Sequence, residues 1–297
     1  INTVFSIDAS QANPNCLYFL GFMDNVPQGL STTTNVIRDY EAKMLVVDAN
    51  YDYYCPMPFK AKTAFFNYTP VSESQGPASP VMSRIMSGAL VFPFEATQAW
   101  LTDINESPDN DGGFNGPALR MFRFTGDNQD VMNFSSVKEH QLNAYEPYLM
   151  FVKPSRVSFY AEDATIPPTR EAIVLGNHLE FIGVTKKTNI NEDYYLWNAD
   201  HNCFYQSKAN NLAKPFSAMM YKSEKNFYSN EKLMINISDY ESATKINGIS
   251  INDAKTVAVY SLSGQRVGTA DINEGRLSLN GLQPGLYIIN GQKVVVK

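Results

Sequence analysis

The chain has 297 residues, of which 44% are hydrophobic and 18% are charged, with 17 tyrosines and 18 phenylalanines. This balance excludes an intrinsically disordered chain, and the aromatic residues favour β-strands. The net charge of −6 disfavours a nucleic-acid partner, because no Lys/Arg cluster reverses the repulsion of phosphates. No apolar run approaches the roughly 20 residues of a membrane-spanning helix, so we predict no transmembrane segment.

Short apolar or alternating runs separated by turn residues predict strands along most of the chain. Up to residue 184 the predicted strands are 17–20, 44–47, 64–68, 89–94, 118–124, 148–152, 157–160, 173–175 and 179–184. Residues 194–205 predict a hairpin with its turn at 198–202. The best helix candidate is 97–105, where Ala99, Trp100 and Ile104 would share one face.

Many short strands with turns at close intervals indicate an all-β sandwich or barrel rather than βαβ units. We predict an antiparallel β-sandwich, either jelly-roll or immunoglobulin-like, over residues 1–222, with an alternative division into two sub-units near residue 85. The polar stretch 223–245 is a predicted linker. A small C-terminal β unit follows at 246–297, where Asn290-Gly291 is a strong hairpin signal.

Three motifs in this last segment occur in a distinctive order. They are 259–267 (VYSLSGQRV), 282–289 (LQPGLYII) and 291–297 (GQKVVVK). Residues 246–297 thereby resemble the C-terminal sorting segment of Bacteroidetes cell-surface proteins. The resemblance implies export and display at or beyond the outer membrane, in some members through the type IX (Por) secretion machinery.

Residues 13–222 resemble a β-rich module often found before that segment. The landmarks include 13–19 (NPNCLYF), 54–61 (YCPMPFKA), 142–149 (LNAYEPYL) and 213–218 (AKPFSA). The chain departs from the family at 87–91, where SGALV stands in place of a Trp-Gly-Thr-Leu-Cys lead. Such modules commonly follow leucine-rich or other adhesive repeats, which implies that these residues form the trailing part of a longer polypeptide.

Catalytic signatures are missing from the sequence. It has no G-x-S-x-G nucleophile elbow and no glycine-rich phosphate loop. Glu95 and Glu146 adjoin apolar runs, as a glycosidase acid would, but a strand-end charge explains each of them equally simply. We therefore predict no enzyme activity, no catalytic residue and no cofactor.

The cysteines and histidines suggest no metal or redox motif. His140, His178 and His201 are dispersed, and His201 is separated from Cys203 by one residue, in a predicted turn. Three cysteines leave at least one thiol unpaired. They are either all buried single thiols or include a Cys16–Cys55 bridge.

Two kinds of binding site remain as candidates. Asp109 and Asp111 alternate in a loop that ends in glycine, which suits Ca²⁺, although the distal ligands of an EF-hand are missing. Four aromatic residues are candidates for stacking on sugars: Trp100, Tyr194, Tyr195 and Trp197. Because side chains alternate along a strand, Tyr194 and Tyr195 must face opposite ways.

The sequence thus predicts a secreted or cell-surface structural or adhesion module without catalysis. Its partner is either a host or extracellular protein or a glycan. The alternative is a carbohydrate-binding β-sandwich.

Overall fold

The computed structural model describes the chain except residues 1–5, 22–25, 31–33, 71–85, 104–113, 115, 117, 129, 138–140, 154, 200, 224–230, 238–255, 262–265, 274–275, 279–284, 290–291 and 297. In the described residues the regular structure is β-strand without a helix, so the all-β prediction is confirmed. No helix there is long and apolar enough to span a membrane. The chain divides into two compact units, Ile1–Glu241 and Ser242–Lys297.

The strands of unit 1 are short and closely spaced, as the turn signals predicted. They are β1 (Tyr18–Phe19), β2 (Val36–Arg38), β3 (Glu41–Asp48), β4 (Phe59–Tyr68), β5 (Met86–Val91), β6 (Gln98–Leu101), β7 (Leu119–Asn128), β8 (Val131–Ser136), β9 (Pro147–Val152), β10 (Val157–Ile166), β11 (Ala172–Leu175), β12 (Leu179–Gly183), β13 (Thr188–Ile190), β14 (Tyr194–Asn198), β15 (Cys203–Gln206), β16 (Asn211–Ala213), β17 (Ala218–Lys222) and β18 (Lys232–Ile237).

A six-stranded sheet has the order β1-β2-β3-β4-β10-β6. Its longest ladder joins β4 to β10, from Tyr68 opposite Val157 to Phe59 opposite Ile166. β3 and β4 are parallel, because the chain crosses over through residues 49–58 instead of reversing in a tight turn. β1 with β2 and β18 with β8 are also parallel, so the predicted antiparallel arrangement holds for most of the described strand pairs but not for these three.

The second large sheet has ten strands in the order β11-β12-β17-β14-β15-β18-β8-β7-β9-β5. Its last strand curls back towards β17. Leu90 of β5 forms a bridge with Ser217, and the Val91 amide donates to the Phe216 carbonyl oxygen over 3.1 Å. The sheet is therefore nearly closed and barrel-like. In a simple sandwich, each layer would instead be an open sheet. A separate two-stranded sheet pairs β13 with β16.

Two large apolar cores fill unit 1, and a third, small cluster consists of Ile190, Ala213 and Met219. The first core takes residues from both large sheets, whereas the second core takes its buried residues from the ten-stranded sheet alone. β9 is buried along its whole length. Its Tyr148 and Met150 enter the first core, and its Leu149 and Phe151 enter the second. Most of the buried aromatic rings thus serve packing.

The helix expected at 97–105 is not formed, because residues 98–101 are strand β6, paired with β10. Its side chains alternate: Ala99 and Leu101 are buried, and Gln98 and Trp100 are exposed. A period of two over four residues is typical of a half-buried strand. Ile104, which would have completed the helical face, lies outside the described residues.

Unit 2 is a five-stranded antiparallel sheet with the order β21-β20-β19-β22-β23. The strands are β19 (Thr256–Ser261), β20 (Arg266–Asn273), β21 (Arg276–Ser278), β22 (Gly285–Ile289) and β23 (Gln292–Val296). Ile289 pairs with Gln292, as the predicted hairpin requires, although Asn290 and Gly291 themselves lie outside the described residues. A small C-terminal β unit is therefore present.

The predicted linker 223–245 contains strand β18. It pairs with β15 on one side and β8 on the other, and Leu233 is fully buried in the second core. The compact units divide between Glu241 and Ser242.

Candidate functional site

A cavity of about 250 Å³ opens beside Trp197 in unit 1; we call it the Trp197 cavity. It lies where β5 and β14 meet the segment that runs from β16 to the start of β17. Among its lining residues are Tyr68, Ser87, Gly88, Ala89, Trp197, Asn198, Ala199, Lys214, Ser217 and Ala218.

Small residues give this cavity its space. Gly88, Ala89 and Ala218 supply at most a methyl group each. A Cβ atom at Gly88 would lie only 2.4 Å from the Tyr68 hydroxyl oxygen, so the glycine allows the phenol to approach the backbone of β5. Sequence reasoning did not select these residues. The available signal was the run of small residues Ser87-Gly88-Ala89.

The Trp197 ring is held in one orientation. Its Nε1–H donates a hydrogen bond of 3.0 Å to the Ser87 hydroxyl oxygen. The ring packs edge-on against Phe151 and Phe204 of the second core, with centroids 5.9 Å and 5.1 Å away. A fixed aromatic wall next to an open space is an arrangement that binding sites use.

The polar groups around the cavity are mostly neutral. Burial raises the pKa of Tyr68 to about 12, so its hydroxyl keeps its proton at physiological pH. The Ser217 hydroxyl donates to the Lys214 carbonyl oxygen over 2.7 Å, and the Lys214 side chain is exposed. Among the lining residues, Lys214 has the one charged side chain.

Trp100 lies elsewhere, on the solvent face of the six-stranded sheet, and is 38% exposed. It stands opposite Ser158 of β10, whose hydroxyl hydrogen-bonds the Asn67 side chain. Two residues along β10, the half-buried Tyr160 packs against Phe65 with ring centroids 5.8 Å apart. Aromatic and amide groups therefore share this face.

The two tyrosines of β14 face opposite ways, as alternation requires. Tyr195 is 0% exposed in the second core and offers no surface to a ligand. Tyr194 is half-buried, and its ring lies 4.8 Å from that of Tyr221. The four sugar-stacking candidates therefore do not form one surface, and Trp197 is the one that borders the cavity.

The other candidate ligands are dispersed. Asp109, Asp111 and His140 lie outside the described residues. Within the described part of the chain, no three His, Cys, Asp or Glu side chains come together in a group that could hold a metal ion. His201 is exposed, and its backbone amide donates to the Asn198 side chain. The cysteines are all free, so Cys16 and Cys55 form no bridge.

Glu95 and Glu146 line a common depression of about 460 Å³ together with Arg170. Glu146, however, already accepts hydrogen bonds from Arg123 Nε, from Asn143 Nδ2 at 2.6 Å and from the Tyr148 hydroxyl at 3.0 Å. These bonds occupy both carboxylate oxygens. They are consistent with a structural role for Glu146, which links β7 to β9.

Sequence reasoning also missed Asp127, whose carboxylate is fully buried. It accepts hydrogen bonds from three successive backbone amides, those of Asn177, His178 and Leu179, and lies 2.9 Å from His178 Nδ1. The carboxylate thereby holds the β11–β12 turn against β7. An isolated aspartate in a strand gives no sequence signal for such a role.

Comparison with known proteins gives no support for a particular family: no family model, no curated protein and no solved structure matches this chain.

Proposed function

We propose that the chain is a non-catalytic structural or adhesion module of an exported cell-surface protein. The observation that carries this proposal is the C-terminal unit. There, the described residues of the motifs that resemble a sorting segment belong to strands of a five-stranded sheet. Unit 1 supports the proposal in two ways. Its buried aromatic rings pack in two cores, and the Glu146 carboxylate is engaged in structural hydrogen bonds.

For unit 1 we propose a β-sandwich, of jelly-roll or immunoglobulin-like type, as the relation between the two large sheets. The support is the first core, to which both sheets contribute side chains, as facing sheets of a sandwich do. In that arrangement, the curled part of the ten-stranded sheet would be an addition to one of the two layers.

Export is tested in a Bacteroidetes strain with a type IX secretion system. The full chain, expressed behind a signal peptide, is compared with a version that ends at Glu241 and with one in which an unrelated β domain replaces 242–297. We expect added protease to reach only the full chain on intact cells. Equal accessibility of all three versions would contradict the proposed role of unit 2.

Adhesion is tested on the purified chain. We expect saturable binding to host cells or to immobilised extracellular matrix, unaffected by Glu95→Gln. Turnover of a glycan substrate that is lost in Glu95→Gln would instead indicate an enzyme.

The alternative function is carbohydrate binding, and two observations favour it. Trp100 is exposed beside Tyr160 on one sheet face, and Trp197 borders a cavity. A glycan array, combined with hydrolysis assays on the same glycans, tests it. We expect binding without hydrolysis, whereas an array without any bound glycan would exclude this alternative.

A further inference from the structure

We propose that the Trp197 cavity binds a single carboxylated pyranose ring, such as a uronic acid residue at the end of an acidic glycan. This inference rests on the carbohydrate-binding alternative and specifies its site and ligand class. It does not depend on export.

The size of the cavity favours one ring. At about 250 Å³ it lies just below the range of roughly 300–1,000 Å³ that small-molecule sites occupy. Gly88, Ala89 and Ala218 leave room for a flat ring. An oligosaccharide would have to extend from the cavity into solvent, so the site would hold the terminal residue.

The aromatic wall suits the apolar face of a sugar. A pyranose presents C–H groups on its faces and hydroxyl groups at its rim. The Trp197 ring offers apolar surface, and its position is fixed by the bond to Ser87 and by Phe151 and Phe204 behind it. A wall that is already ordered loses little conformational entropy when the ligand binds.

Polar groups that line the cavity can bind sugar hydroxyls. The Tyr68 phenol stays neutral and can both donate and accept a hydrogen bond. Ser87 accepts from the indole and still has its own proton to donate. Asn198 also lines the cavity; its side-chain oxygen accepts from the His201 amide, and its side-chain N–H groups are donors. Several polar groups around one apolar wall provide the orientation that a polyhydroxylated ring needs.

Charge selects the acidic ring. Lys214 lines the cavity and, among the described residues that line it, none has a carboxylate, although the whole chain carries a net charge of −6. A ligand carboxylate at the mouth would gain a charge-assisted contact with Lys214, whereas a neutral sugar would not. We therefore expect methyl β-glucuronide to bind about tenfold more tightly than methyl β-glucoside, a difference of about 1.4 kcal/mol.

Two tryptophans make the binding site directly observable by NMR. The full chain, labelled with ¹⁵N, shows two indole N–H resonances, and Trp100→Phe assigns them. On titration with methyl β-glucuronide, we expect the Trp197 resonance to shift saturably while the Trp100 resonance stays in place. Methyl β-glucoside should shift the same resonance with the weaker affinity.

Three variants test the geometry. Ala199 is a half-buried lining residue, and Ala199→Phe should block the mouth and abolish both shifts without lowering the melting temperature. Lys214→Gln should weaken glucuronide binding about tenfold and leave the glucoside unchanged. Lys208→Gln is the control, because Lys208 is also exposed and does not line the cavity; it should change the affinity for neither ligand.

Three results would overturn the proposal: no saturable shift with either sugar, a shift that persists in Ala199→Phe, or equal effects of the two lysine variants. If the glycan array still shows binding by Ala199→Phe, carbohydrate binding occurs at another surface and only the cavity assignment fails. Loss of surface display would leave the cavity titration unaffected.

Discussion

Asp127 shows how one buried side chain can organise a turn between strands. Its carboxylate is 0% exposed and accepts the amide protons of Asn177, His178 and Leu179. Buried amide groups without an acceptor are costly, since folding removes them from water. The turn therefore depends on this acceptor rather than on packing alone.

We expect Asp127→Ala to lower the free energy of unfolding by about 3 kcal/mol, because several amide donors lose their acceptor at once. Asp127→Asn, which keeps one oxygen, should lose less. Urea unfolding followed by circular dichroism measures both. Glu171→Gln, at an exposed acid, should stay within about 0.5 kcal/mol of the original chain. A loss below 1 kcal/mol for the alanine variant would contradict the role of Asp127.

The buried tyrosines predict an alkaline limit to stability. Burial raises the pKa of Tyr68 and of Tyr145 to about 12, and it also raises that of Tyr53 and Tyr148. The unfolded chain would ionise these phenols near pH 10. Because the folded state favours the protonated form, their contribution to stability is complete below pH 10 and is lost as the pH rises towards 12.

Absorbance at 295 nm during a pH titration checks this. We expect a late group of tyrosines to ionise together with the loss of circular dichroism near pH 12. In guanidinium chloride all tyrosines should titrate together near pH 10. A native titration without a late group would contradict the assigned burial.

At the scale of elements, β9 differs from an ordinary surface strand. Its neighbouring residues Leu149 and Met150 are both 0% exposed, one in the second core and the other in the first. In a strand with one solvent-exposed face, substitutions at every second position would cost little stability. In β9 every position is buried, so a substitution at any of them should cost stability.

Leu149→Ala and Met150→Ala should each cost about 3 kcal/mol, because each leaves a cavity in a different core. Leu175→Ala in the edge strand β11, where the side chain is 72% exposed, is the control and should change stability by less than about 0.5 kcal/mol. Chemical unfolding of the three variants measures this. An alternating result, with one β9 variant silent, would mean that only one face of β9 is buried.

Local periodicity predicted elements of this kind well. The run at 148–152 became β9, and the hairpin at 194–205 formed with Trp197 opposite Phe204. Local periodicity failed at β6, because four alternating residues are too few to distinguish a strand from a helical turn. It could not predict that β3 and β4 pair in parallel or that β5 returns to Ser217, because those partners are set by long-range packing.

The same limit applies to the Trp197 cavity. Trp197 was selectable as an aromatic residue next to a turn. Tyr68, Gly88 and Lys214 come from distant parts of the chain, and only the fold brings them to one wall. A pattern within one segment cannot contain that information.

At the scale of the molecule, β18 determines where unit 1 ends. It is an internal strand of the ten-stranded sheet, hydrogen-bonded to β15 and to β8, and it places Leu233 in the second core. Without it, two interior strands would become open edges, and the curled sheet would be interrupted in its middle.

Two truncations test this boundary. A chain that ends at Glu241 retains β18, so its unfolding should remain cooperative, with the midpoint that unit 1 shows in the full chain. A chain that ends at residue 230 loses the strand and the buried Leu233, and it should be degraded rapidly by protease and show no cooperative transition. Differential scanning calorimetry and limited proteolysis distinguish the two outcomes. If the shorter chain unfolded like the longer one, the fold of unit 1 would not require β18, and unit 1 would end nearer residue 222.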